Sequence, residues 1–161
     1  MDTISVRIYK EDVYEEVAKV TAYTGAKLVD GDAGAPDRIL ATDSALSDLG
    51  RFWDLSVLAT NERLKEMLVS GVTKLLLGDV VSAGRKEGYE AVLRVGRLFD
   101  KGLKSDVESA LRNYFIASIV GRWFRLSNKG ESAEYFEQGE VLLGVAERLL
   151  YSRKRPVRPT Y

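Results

Sequence analysis

Four glutamates recur at every third position, Glu131, Glu134, Glu137 and Glu140, and carboxylates gathered by helices can hold paired metal ions or exchange protons. A di-iron carboxylate site needs Glu-x-x-His pairs on two helices, and this chain of 161 residues has no histidine. Spacing by threes also walks the four carboxylates around a helix, so they read as a solvated acidic strip. With neither histidine nor cysteine, a Ser-His-Asp triad, a thiol nucleophile with an imidazole partner and a zinc site of the usual ligands are all excluded. Asp30 and Asp32 begin like a calcium loop, but Gly34, Ala35 and Ala41 stand where an oxygen ligand, the turn glycine and the bidentate glutamate belong. The run GDVVSAGRK from Gly78 to Lys86 lacks the spacing of a phosphate loop and has no hydroxyl after its lysine. Carboxylate pairs remain open as general acids and bases, since there are 24 Asp and Glu, but no pair stands out. No cofactor or metal is expected, and the chain is expected to work by contact rather than by catalysis.

The cations are distributed more tellingly than the acids. Lysine and arginine balance the acidic residues at 24 each, yet residues 1–50 hold five basic and ten acidic residues while residues 101–161 hold eleven and seven. The polarity therefore runs from acidic to basic. It culminates in SRKRPVRPTY, where Arg153, Lys154, Arg155 and Arg158 stand without an acid among them. Three readings fit this tail: a solvated end kinked by Pro156 and Pro159, an electrostatic contact with nucleic acid or an acidic protein surface, and a polyproline II ligand of the Arg153-x-x-Pro156-x-x-Pro159 type. A second exposed basic point, Arg85 with Lys86, lies in the polar run Gly84 to Gly88.

The elements that must position these residues are mostly helices. Val13, Val17, Val20 and Thr24 recur at helical spacing behind an acidic first turn, with Gly25 as a stop. The run from Asp30 to Ala41 is loop chemistry. Leu46, Leu49, Trp53, Val57, Leu64 and Leu68 then mark a long second helix whose polar face, with Asp48, Arg51 and Asp54, reads as solvated. Residues 73–97 are rich in Val and Leu around the run at 84–88, and Tyr89, Ala91, Leu93 and Val95 alternate with Glu90, Val92 and Arg94, which predicts a β-hairpin with Arg85 and Lys86 at its tip. A helical hairpin is the alternative there. Asp100 or Ser105 caps a third helix, where Val107, Leu111, Phe115, Ile119 and Trp123 repeat every four residues and neighbouring apolar positions widen the arc enough to make it central. Asn128 with Glu131 forms a capping box for a fourth helix through Tyr135, Phe136, Leu142, Val145, Leu149 and Leu150.

These elements predict a mainly α fold, a helical bundle of about four helices with a β-hairpin insertion at 73–97. One domain spans 1–151, and 152–161 form the basic, proline-containing tail. Tyr114 to Leu126 is interrupted by Arg122 and Arg125 and falls short of the roughly 20 apolar residues a membrane span requires, so no membrane partner is expected. Met1 leads into Asp2, Arg7 and Lys10 rather than into an apolar stretch, so a cleaved export signal is not expected and the cytoplasm is. Adjacent aromatics, Phe52-Trp53, Tyr114-Phe115, Trp123-Phe124 and Tyr135-Phe136, cannot point the same way on a helix. One of each pair is expected in the core, and the others pack there too or anchor a neighbouring subunit.

The segments DVYEEVAKVTAYTGAK, LSDLGRFWD, NYFIASIVGRWFRLSNKGESAEYFEQ and RKRPVRP together resemble a group of small proteins encoded in bacterial prophages. More loosely, the order of acidic short helix, loop and long amphipathic helix is similar to the head-to-tail connector proteins of tailed bacteriophages, small helical subunits that form rings between portal and tail. The resemblance implies a structural subunit that is virion-associated after assembly, with its own copies and other virion proteins as partners. The hairpin at 73–97 departs from the simplest all-helical connector, and a tail or neck component is implied equally. A helical adaptor that binds nucleic acid through the basic tail is the alternative from another class.

Overall fold

The computed structural model describes residues 2–27, 46–77, 85–127 and 129–153. Strand β1 (Asp2–Tyr9) opens the fold, because Ile4, Val6 and Ile8 alternate with Ser5, Arg7 and Tyr9 and so place one apolar face inward. Helix α1 (Lys10–Lys27) follows directly, burying Val13, Val17 and Thr21, whose hydroxyl donates to the Val17 carbonyl at 2.9 Å. The helix runs through Gly25, the expected stop, to Lys27. The loop expected at 30–41 lies outside the described residues.

Helix α2 (Leu46–Arg63) buries Leu49, Phe52, Trp53, Ser56 and Thr60. It is shorter than the stripe reaching Leu68 predicts. Leu64 and Met67 form a turn that keeps both side chains in the core, and Leu68 begins strand β2 (Leu68–Leu77). A spacing of four fits this turn as well as it fits a helix, which is why the pattern alone extended the helix too far.

Strand β3 (Arg85–Val95) pairs antiparallel with both other strands, giving the order β1-β3-β2. The hairpin expected over 73–97 is therefore present, but its strands belong to a three-stranded sheet completed by β1. The polar run 85–88 is not a tip. Arg85, Lys86, Glu87 and Gly88 are strand residues opposite Leu77, Leu76, Leu75 and Lys74, and the connection between the strands lies outside the described residues. Gly88 is required by close approach, since a Cβ there would come within 2.6 Å of the Ile8 carbonyl oxygen and 3.0 Å of Leu76 Cδ1.

A 3₁₀ turn (Lys101–Leu103), capped by Asp100 Oδ1 accepting from the Gly102 N–H at 3.0 Å, leads into α3 (Lys104–Ser127). The predicted four-residue repeat is realised here: Val107, Leu111, Phe115 and Ile119 are fully buried, with Trp123 half-buried. Helix α4 (Lys129–Tyr151) packs along α3, while α3 lies on β1, α1 on β3 and α2 on β2. The protein is mainly helical, with its described helices gathered on one face of the sheet around a single core. Asn128, the expected cap of α4, lies outside the described residues.

Candidate interaction surface

The two faces of the sheet differ sharply. On the inner face a polar chain ties α2 to the strands. Trp53 Nε1 donates to Thr73 Oγ1 at 2.9 Å, Asn61 donates through Nδ2 to the Gly71 carbonyl at 2.9 Å, and the Tyr89 hydroxyl donates to Asn61 Oδ1 at 2.6 Å. Glycine is required at 71, because a Cβ would strike Asn61 Oδ1 and lie 2.8 Å from the Tyr89 hydroxyl oxygen. Burial pushes the Tyr89 phenol above its ordinary pKa, which suits a neutral hydroxyl donating into this chain. Deeper in, Ser56 reaches the Phe52 carbonyl and Ser118 Oγ, each at 2.9 Å, so buried hydroxyls of two helices satisfy one another.

The outer face carries Thr3, Ser5, Arg7 and Tyr9 from β1, Lys86, Glu90, Val92 and Arg94 from β3, and Ser70, Val72, Lys74 and Leu76 from β2, as the register dictates. Helices α1, α2 and α3 pack on the sheet, and α4 packs chiefly along α3. Glu90 is buried between two cations from different strands: Arg7 Nε lies 2.8 Å from one carboxylate oxygen and Lys74 Nζ 2.8 Å from the other. The Lys74 ammonium first, and the Arg7 guanidinium with it, hold the Glu90 carboxyl below the usual carboxylate range against the opposing effect of burial.

The two edges of the sheet also differ. The open side of β1 is engaged where the Arg7 N–H donates to Glu108 of α3 at 3.1 Å. Along β2 four large apolar side chains are exposed, Val69 at 49%, Val72 at 49%, Leu75 at 63% and Leu77 at 70%, which makes this strand the most apolar stretch of surface among the described residues.

Arg153 forms an isolated antiparallel bridge with Phe99 and is exposed, whereas Lys154, Arg155, Pro156, Arg158 and Pro159 lie outside the described residues. Lys86 extends toward Glu11 at 3.7 Å. Glu134, Glu137 and Glu140 are exposed, and Glu140 together with Glu147 receives Arg63 of α2 at 2.7 and 2.9 Å. No group of three acidic side chains that could hold a metal occurs among the described residues. A shallow surface depression of about 540 Å³ on α4 is lined by Glu134, Glu137, Gln138, Val141 and Leu142. Both members of Phe52-Trp53 and of Tyr114-Phe115 are buried within the chain, so these aromatics are core residues and not spare anchors. No described helix is long and apolar enough to cross a membrane.

Sequence reasoning did not find the Arg7–Glu90–Lys74 arrangement or the open edge of β2. The alternation from Tyr89 to Val95 carried part of the signal, and the alternation from Ile4 to Ile8 would have completed it. Comparison with protein-family models, with curated proteins and with solved structures finds no match for the chain.

Proposed function

We propose that this chain is a non-catalytic structural subunit of a phage or prophage virion, a head-to-tail connector or tail component that acts through contacts between subunits. The observation that carries the reading is the exposed edge of β2, where four apolar side chains line a strand whose outer side is largely unpaired among the described residues. Natural sheets usually blunt such an edge with charge, proline or a covering segment, because it templates pairing with another chain. The resemblance of the helical segments to prophage-encoded proteins supplies the virion context. The acidic-to-basic polarity along the chain suits subunits that meet other subunits end to end.

Gel filtration with light scattering, run alone and with portal and tail proteins, tests the reading. An oligomer, or a stable complex with one of those proteins, is the expected result. A monomer at every concentration that binds neither would overturn it.

A further inference from the structure

The exposed edge of β2 has a definite hydrogen-bonding register. Arg7 directs its N–H away from β3 to Glu108, so Arg7 and Glu90 face each other as a non-hydrogen-bonded pair and Glu90 turns its backbone groups toward Val72. The alternation of an antiparallel ladder then turns Gly71, Thr73 and Leu75 toward the free edge. The Gly71 carbonyl confirms this direction, since it accepts from Asn61 on that side. Asn61 therefore closes one end, and among the described residues Thr73 and Leu75 are left with open backbone groups beside the exposed Leu75 and Leu77 side chains.

We infer that β2 pairs with β2 of a second copy, antiparallel about a two-fold axis at Leu75, to make one continuous six-stranded sheet. The inference rests on the reading that the chain acts through subunit contacts and names one such contact. Three observations select a second copy in this register. At the other edge Glu108 takes up the Arg7 N–H, and among the described residues the exposed large apolar side chains of the sheet all lie on β2. Lys74, the lone charge on the strand, would ordinarily guard the edge, but its ammonium is drawn across the outer face to Glu90 at 2.8 Å. Pairing centred on Lys74 would set two ammoniums opposite each other, whereas pairing centred on Leu75 sets each Lys74 opposite Leu76 and each Thr73 opposite Leu77. The two Leu75 residues then exchange both of their hydrogen bonds, and the Leu75 and Leu77 side chains of both copies share one face. Two-fold pairing closes on itself, which leaves the charged ends of each subunit for contacts with other virion proteins.

The chain has no cysteine, so single cysteines report the register directly. Across the axis the two Leu75 Cα atoms should lie about 5.5 Å apart, inside disulfide range, whereas the two Leu77 Cα atoms should be roughly 13 Å apart. Under mild oxidation Leu75→Cys should become a covalent dimer and Leu77→Cys should not. Light scattering should give twice the chain mass for the native protein and a single chain mass for Leu75→Lys, with unchanged far-UV circular dichroism because position 75 is exposed. A Leu75→Lys protein that remains associated, or Leu77→Cys cross-linking as readily as Leu75→Cys, overturns the inference while leaving the broader contact reading standing. A native protein that stays monomeric yet binds a portal or tail protein overturns the inference alone, and one that does neither overturns both.

Discussion

Glu90 shows how one side chain can be placed by residues far from it in sequence. Its two cations come from positions 83 and 16 residues earlier in the chain, and only the three-strand order brings them together. Because Lys74 and Arg7 lower the folded-state pKa of Glu90 below its unfolded value, the stabilisation is present above the ordinary carboxylate range and is lost as pH falls through the folded pKa. Glu90→Gln should therefore cost about 1 kcal/mol at pH 7, a figure kept small because both cations are substantially exposed to water. The gap between the two proteins should close on acidification below the carboxylate range. Urea midpoints measured at neutral and acid pH check this, and a gap that widens in acid would contradict the arrangement. Gly71 sets a sharper steric condition. Gly71→Ala would drive a methyl into Asn61 and should cost about 1–3 kcal/mol by thermal melting.

At the scale of elements, helices α3 and α4 approach closely at Gly121, where a Cβ would meet the Phe136 ring at 3.2 Å and Tyr135 Cβ at 3.3 Å. Gly121→Leu should push the pair apart and lower stability by roughly 1–3 kcal/mol, whereas leucine at exposed Arg112 of the same helix should change it little. Denaturant midpoints of the two variants compare the sites. The elements that were legible in sequence were those whose pattern could be satisfied locally. The four-residue repeat of α3 is such a case, because a helix apolar around most of its circumference has only a central place to go. Strand β1 was missed although Ile4, Val6 and Ile8 alternate cleanly, since a single short alternation gains meaning only when a partner strand is known. The end of α2 and the place of Arg85 and Lys86 were misread for a related reason. Leu64 and Leu68 keep helical spacing through a turn, and the charges at 85–87 suit the solvated side or margin of a strand as well as a turn. The edge of β2 was not legible at all, because which strand lies outermost is decided by the sheet order and not by any one segment.

For the molecule as a whole, Phe115 is the point at which the layers meet. Its ring lies 4.9 Å from Trp53 of α2, 5.5 Å from Tyr89 of β3 and 6.0 Å from Tyr114 of its own helix, all buried. Trp53 and Tyr89 in turn bind Thr73 and Asn61, so the aromatic cluster and the polar chain beneath the sheet form one connected unit. Truncating a buried aromatic of this kind typically costs about 3–5 kcal/mol. Against a total of roughly 5–15 kcal/mol for a folded domain, that is a large share. If the core is one cooperative unit, Phe115→Ala should lower the midpoint of near-UV and far-UV circular dichroism together, since sheet and helices would lose their common support at once. The comparison belongs in the Leu75→Lys background, where association between copies adds nothing to the midpoint. Loss of the near-UV signal at a lower denaturant concentration than the far-UV signal would mean that the helices hold without the sheet. The layers joined at Phe115 would then be two folding units and not one.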